Sequence, residues 1–124
     1  MQSNFAVETH ITGGVVRLAL SGELDLVSTP ALERAMDELT PEVELIIIDL
    51  RAVEFMDSTG LHGVLRAQQR AHDSSQRFAL IRGGDQVQRL FELTGVAEGL
   101  TIVDSPGELV EAHGTSWRQA ETET

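Results

Sequence analysis

The chain contains no cysteine. That excludes a disulfide framework and a thiolate site. It contains no lysine either, so all nine of its cationic side chains are arginine. A phosphate-loop lysine and Schiff-base chemistry are thereby ruled out. Positive charge is scarce altogether: the nine Arg face twenty Asp and Glu, for a formal net charge of −11. With no basic patch, direct nucleic-acid binding is not expected, and anionic membrane surfaces are disfavoured for the same reason. The acidity suits a protein partner with a basic face, or simply solubility. Long hydrophobic runs are also missing. No apolar stretch approaches the roughly 20 residues of a membrane span, and no signal peptide is expected ahead of residue 5. A cytoplasmic location is the simplest expectation.

What is present fits one globular domain. The 124 residues are 41% hydrophobic and 23% charged, ordinary values for a soluble protein of this size. Alternation from residue 5 to 11 and again from 15 to 20 predicts two strands. The turn Thr12-Gly13-Gly14 joins them as an antiparallel hairpin. Thr29-Pro30 reads as a helix start, with a capping hydroxyl and Pro at the first helical position. Leu32, Ala35, Met36 and Leu39 supply its apolar face. Residues 78–81 and 100–103 read as further strands. A helix from Asp85 has capping-box spacing to Gln88, with Gly95 closing it. Ser105-Pro106-Gly107-Glu108 predicts a last short helix, to about residue 112, and the polar residues 113–124 read as a disordered tail. Strands alternating with helices imply a mixed, mostly parallel α/β sheet with an antiparallel N-terminal edge strand.

Residues 45–66 organise the chain. Leu45-Ile46-Ile47-Ile48 is an unbroken, mostly β-branched run, suited to a central strand over residues 44–50 covered on both faces. Phe55 and Met56 are the last apolar anchors before a polar turn, Asp57-Ser58-Thr59-Gly60. A helix is expected from residue 59 to about 71, with Leu61, Val64 and Leu65 facing the core. Ser58 is then the N-cap, its hydroxyl accepting from the N–H of Gly60 or Leu61. A phosphate on Ser58 would meet the same free N–H groups. Gly60 either makes room for such a phosphate or allows close packing. Asp25 and Asp57 both follow strands of the same expected direction, so they can gather near Ser58 at one edge of the sheet; turn chemistry explains them equally well.

Enzymatic constellations are missing. His10, His62, His72 and His113 are scattered without ligand spacing, so no metal is expected. Ser58 lacks a nucleophile elbow and an evident base. A single acidic loop cannot form a carboxylate dyad. No cofactor is called for.

The segment Phe55-Met56-Asp57-Ser58-Thr59-Gly60-Leu61, preceded by Ile47-Ile48-Asp49-Leu50, resembles the phosphorylation loop of anti-sigma factor antagonists. These are bacterial STAS-domain proteins of the SpoIIAA and RsbV type. Gly22-Glu23-Leu24-Asp25 and Arg89-Leu90-Phe91-Glu92-Leu93-Thr94-Gly95 fit the same order of elements, and the resemblance spans residues 5–112. It implies a SpoIIAA-like fold, with strands in sequential order and helices mainly on one face. It also implies a non-enzymatic switch. With Ser58 free, the protein binds an anti-sigma factor that is itself a serine kinase and so releases the sigma factor. Phosphorylation of Ser58 ends that interaction, and a PP2C-type phosphatase restores the hydroxyl. Asp25, Asp57, Thr59 and Gly60 would belong to the phosphorylation loop and partner surface, with Asp57 either holding the loop or engaging the kinase. The alternative is a STAS scaffold or transport-system accessory module that is never phosphorylated.

Overall fold

The computed structural model describes residues 4–109. The expected tail at 113–124 and the end of the last helix lie outside them. Strand β1 (Ala6–Thr12) pairs antiparallel with β2 (Val15–Leu24). Helix α1 (Thr29–Asp37) then leads to β3 (Leu45–Met56), parallel to β2. Helix α2 (Ser58–Asp73), β4 (Arg77–Ile81), α3 (Asp85–Thr94) and the short β5 (Ile102–Val103) complete the unit. Single 3-10 turns fill Val96–Gly99 and Pro106–Leu109. Among the described residues five strands stand in sequential order, β1-β2-β3-β4-β5, with the first pair antiparallel and the others parallel.

Strand alternation sorts the core into two layers. Val16, Leu18, Leu20, Ile46, Ile48, Leu50 and Leu80 face one side, where Leu32 and Met36 of α1, Leu61 and Val64 of α2, and Val87 and Phe91 of α3 cover them. Val15, Leu45, Ile47, Ala79, Ile81 and Val103 face the other side, together with Leu109. The three α-helices therefore share one face. That second face also carries a buried ion pair between Arg17 of β2 and Asp49 of β3, at 3.1 Å, which Arg51 extends at 2.7 Å. Burial pushes the Asp49 carboxyl up, but hydrogen bonds from Arg51 and the charges of Arg51 and Arg17 outweigh it and hold the group below its ordinary value.

Several boundaries differ from the sequence expectation. β2 runs on to Leu24 and β3 to Met56, because their C-terminal halves pair through two register shifts. Gly22 sits at one shift, with φ +87°, and a Cβ there would strike the backbone of Asn4. Only glycine takes that position without strain. Thr29 lies inside α1 and does not cap it; Ser28 precedes the helix, and its hydroxyl serves the loop. α3 has no capping box: Gly84 stands at its N-cap, and the Gln88 side chain turns to Glu92. At Pro106–Leu109 the expected reach-back is present, the Glu108 carboxylate accepting from the N–H groups of Asp104 and Ser105.

Candidate functional site

The ends of β2 and β3 fix the site. Leu24 stands opposite Met56, the last residue of β3, and a single extended residue, Asp57, separates Met56 from α2. Asp57 is the N-cap. Its Oδ1 accepts the N–H of Gly60 at 2.9 Å, and its carbonyl accepts the N–H of Leu61 at 2.9 Å. This corrects the expectation that Ser58 caps the helix. β3 continues to Met56, so Asp57 takes the half-helical position where a side-chain oxygen meets the first free donors. Its negative charge also suits the positive end of the helix. Ser58 becomes the first helical residue, exposed and released from the capping role, while Thr59 is half-buried. The N–H groups of Gly60 and Leu61 are already engaged by Asp57, so they are not open to a group on Ser58.

Gly60 is buried, and a Cβ there would overlap the Leu24 carbonyl. Close packing, not space for a phosphate, accounts for this glycine. One turn on, a Cβ at Gly63 would lie 2.9 Å from the Thr29 methyl. The first two turns of α2 thus rest on the connection between β2 and α1.

That connection is tightly ordered. Asp25 Oδ1 accepts the N–H groups of Val27 and Ser28, each at 3.1 Å. The Ser28 hydroxyl accepts the N–H of Asp25 at 2.8 Å and donates to the Glu23 carbonyl at 2.7 Å. Asp25 is therefore brought to the same sheet end as Ser58, as expected, but its carboxylate shapes its own turn. Leu26 and Val27, at the tip, remain 71% and 69% exposed.

Sequence reasoning missed Gln86. Its side-chain amide accepts the N–H of Met56 at 2.9 Å and donates to the Met56 carbonyl at 2.7 Å. It closes the last backbone pair of β3 as a neighbouring strand would, and ties the start of α3 to the residue before Asp57. No periodicity or motif marks such a residue; a polar side chain in the first turn of a helix reads as solvated.

The two site segments are one-signed, and the Arg66 guanidinium that approaches Gly63 on α2 is paired with Glu33. Residues 21–29 and 53–61 hold Glu23, Asp25, Glu54 and Asp57 and no arginine. Among the described residues no group of His, Cys, Asp and Glu could hold a metal ion. Among those residues, too, no helix is long and apolar enough to cross a membrane.

Comparison with known proteins places this arrangement. The STAS domain model matches residues 6–109. The anti-sigma-F factor antagonist RsfB of Mycobacterium tuberculosis is 36% identical over 84 residues, 67% of this chain and 68% of RsfB. The crystal structure of an anti-sigma factor antagonist from Mycobacterium paratuberculosis superposes with a TM-score of 0.74 at 26% identity, covering 88% of this chain and 93% of that one. The Bacillus cell fate determinant SpoIIAA in its phosphorylated form shares the fold, with a TM-score of 0.65 at 21% identity over 88% of this chain and 99% of its own.

Proposed function

The chain belongs to the STAS domain family, and we propose that within it this protein works as an anti-sigma factor antagonist switched by phosphorylation of Ser58. With the hydroxyl free, it binds an anti-sigma factor that is also a serine kinase, and the sigma factor is released. The kinase transfers a phosphoryl group to Ser58, the complex separates, and a PP2C-type phosphatase resets the cycle. The protein is a kinase substrate, not an enzyme, and it acts in the cytoplasm.

One observation carries this reading. Asp57 performs the capping that a Ser in this turn would otherwise perform, so the Ser58 hydroxyl is exposed and free to react without loosening α2. The relatives named anti-sigma factor antagonists, and a protein of this fold solved in a phosphorylated form, support it.

The energetics suit a switch. A phosphoryl group adds about −1.5 to −2 charges to a surface that already carries four carboxylates and no arginine in the two site segments. In solution water screens that charge. In a kinase complex the group must be desolvated facing the phosphates of the nucleotide. An unmatched buried charge costs several kcal/mol, and a loss of ~3 kcal/mol already weakens binding about a hundredfold. The helix dipole returns only ~0.3–1 kcal/mol, in free and bound states alike. The fold should survive phosphorylation while the complex does not.

The test is incubation with each serine-kinase anti-sigma factor of the host and ATP, read by intact mass and by co-elution. Binding of the unmodified protein, a single phosphoryl addition absent from Ser58→Ala, and loss of binding on modification are expected. No binding and no mass shift with any of these kinases would overturn the reading.

A further inference from the structure

The two outer strands of the sheet differ in what they leave open. β5 is two residues long, and so short an edge offers little to pair with. β1 runs for seven residues, Ala6–Thr12, in unbroken register with β2. It has no Pro, Lys or Arg and no bulge, the devices that commonly blunt an edge. Its Ile11 is 58% exposed.

The hairpin fixes which backbone groups of β1 face outward. Gly13-Gly14 is a two-residue turn, with Gly13 at φ +60°, so the flanking Thr12 and Val15 form a hydrogen-bonded pair. The far side of β2 agrees: the Gly14 carbonyl turns toward β3, where it accepts the N–H groups of Glu44 and Leu45 at 2.7 and 3.1 Å. Alternation then directs the backbone groups of Ala6, Glu8, His10 and Thr12 to β2, and those of Val7, Thr9 and Ile11 outward. Among the described residues no strand pairs with these three.

This edge is complementary to itself. Two copies set antiparallel about Thr9 place Thr9 against Thr9, Val7 against Ile11 and Glu8 against His10, the last two pairs twice over. Positions 7, 9 and 11 are then the hydrogen-bonded ones, and their outward groups make about six backbone bonds. Glu8 and His10 meet at the positions where opposed side chains come closest, carboxylate against imidazole. Within one strand they already approach to 3.4 Å, with the Glu8 side chain 76% exposed. Centring the pair on Glu8 or on His10 would instead set carboxylate against carboxylate or imidazole against imidazole. A groove of about 270 Å³ lined by Phe5, Val7, Ala31 and Ala35 opens between β1 and α1. The second copy's Ile11, opposite Val7 and on the same sheet face, would sit at its rim.

We propose that β1 pairs with β1 of a second copy of this chain about a two-fold axis at Thr9, joining the two sheets into one. This goes beyond the phosphorylation switch and does not depend on it.

The experiment is sedimentation of the full chain from about 1 μM to 1 mM, with amide hydrogen exchange at both ends of that range. A dimer that grows with concentration is expected, tighter at high salt because each copy carries a net charge of −11. Exchange at Val7, Thr9 and Ile11 should slow at least tenfold in the dimer, while Glu8 and His10, already bonded to β2, keep their rates. Thr9→Pro removes the central donor at a place an edge strand tolerates, and should weaken the dimer at least tenfold. Glu8→Arg and His10→Glu should each weaken self-pairing at least threefold. Mixed, these two variants should pair with each other as tightly as the unmodified chain pairs with itself, since opposite charges again meet; thermal melting checks that each is folded. A chain that stays monomeric throughout overturns the proposal. So does a dimer that leaves the three amides unprotected or ignores every variant. Protection of those amides only on adding a serine-kinase anti-sigma factor would assign the edge to a strand of that partner, and overturns it as well.

Discussion

Gly60 of α2 and the carbonyl of Leu24 on β2 lie so close that no side chain fits between them. The obstacle is backbone at the end of a paired strand and cannot swing aside. Alanine would gain ~1 kcal/mol of helix propensity over glycine, but forcing its methyl into this contact costs about 1–3 kcal/mol or more. Gly60→Ala should therefore be less stable than the unmodified protein in urea denaturation, because α2 is pushed off the end of β2. Gly84→Ser is the counterpart: open space surrounds that N-cap, and a hydroxyl there should add a few tenths of a kcal/mol. A Gly60→Ala protein as stable as its parent would contradict the packing.

Asp57 and Ser58 are adjacent and should respond in opposite ways to alanine. Asp57 supplies the capping oxygen, so Asp57→Ala should lose about 1 kcal/mol, within the usual 0.5–2 range for a cap. Ser58 occupies the first helical position and makes no capping bond, so Ser58→Ala should change stability by less than ~0.5 kcal/mol. Ser58→Ala should also bind the kinase persistently, and Ser58→Asp poorly. Paired melting curves decide the first contrast; equal stability losses for the two alanine variants would return the cap to Ser58.

Gln86 should matter to the fold as well as to the site. Its amide serves both backbone groups of Met56 at the end of β3. Gln86 is exposed but Met56 is fully buried, so an apolar side chain at position 86 would leave a buried N–H and carbonyl short of a partner, at a cost of about 1–3 kcal/mol. Gln86→Leu should melt several degrees below the parent, exchange the Met56 amide with solvent faster and accept phosphate on Ser58 more slowly. Unchanged exchange at Met56 would show that the clamp is not made in solution.

The sequence carried the architecture wherever burial was periodic. The run from Leu45 to Ile48 announced the central strand, the spacing of Leu32 and Met36 announced α1, and Gly95, in the left-handed conformation at φ +75°, closes α3 where expected. Errors gathered where periodicity is broken by design. Past Leu50, β3 buries Val53 and Met56 but exposes Arg51, Ala52, Glu54 and Phe55, because the register shifts opposite Gly22 rotate the strand. That pattern does not read as a strand, so the sequence puts the helix start one residue late and the cap on Ser58. The site was legible as a motif but not as a division of labour. Which of Asp57 and Ser58 caps depends on how far β3 pairs with β2, and which side chain closes β3 depends on a contact 30 residues away; Asp25 bonds within its own turn, two and three residues on, and a motif does not show which way a carboxylate faces.

Acid should weaken the protein through Asp49. Its carboxyl is held below the ordinary value by Arg51 and Arg17 despite burial. A depressed folded value means that stability is fully present above the unfolded carboxylate value of ~3.9 and is lost as pH falls through the folded one. Asp49→Asn removes a buried partner of Arg17 and should cost about 3 kcal/mol or more near neutral pH. The gap between parent and variant should be constant from pH 5 to 8 and narrow progressively below about 4. Urea midpoints across pH check this; a gap that widens toward acid would give the wrong sign and dismiss the ion pair as the cause.

Phosphorylation should fall on Ser58 and not on its neighbour Thr59. The two hydroxyls occupy the first and second positions of α2, but they differ in access. Ser58 is exposed, whereas Thr59 is half-buried beside Gly60, which itself is pressed against Leu24. Thr59 is also β-branched and stiff at χ1, so bringing its hydroxyl to a nucleotide would mean lifting the first turn of α2 and breaking the Asp57 cap. Ser58 needs only a side-chain rotation. Once formed, phospho-Ser58 stands next to the Asp57 carboxylate while the N–H groups of Gly60 and Leu61 remain occupied by Asp57. The added charge is therefore met mainly by solvent, which keeps it available to the phosphatase. Fragment mass spectrometry of the peptide spanning residues 52–66 should find the phosphoryl group on Ser58 alone. Thr59→Ala should still be modified, and Ser58→Ala should not be. A Ser58→Ala protein that is fully phosphorylated, with the group on Thr59, would reverse the assignment and require α2 to open at its first turn.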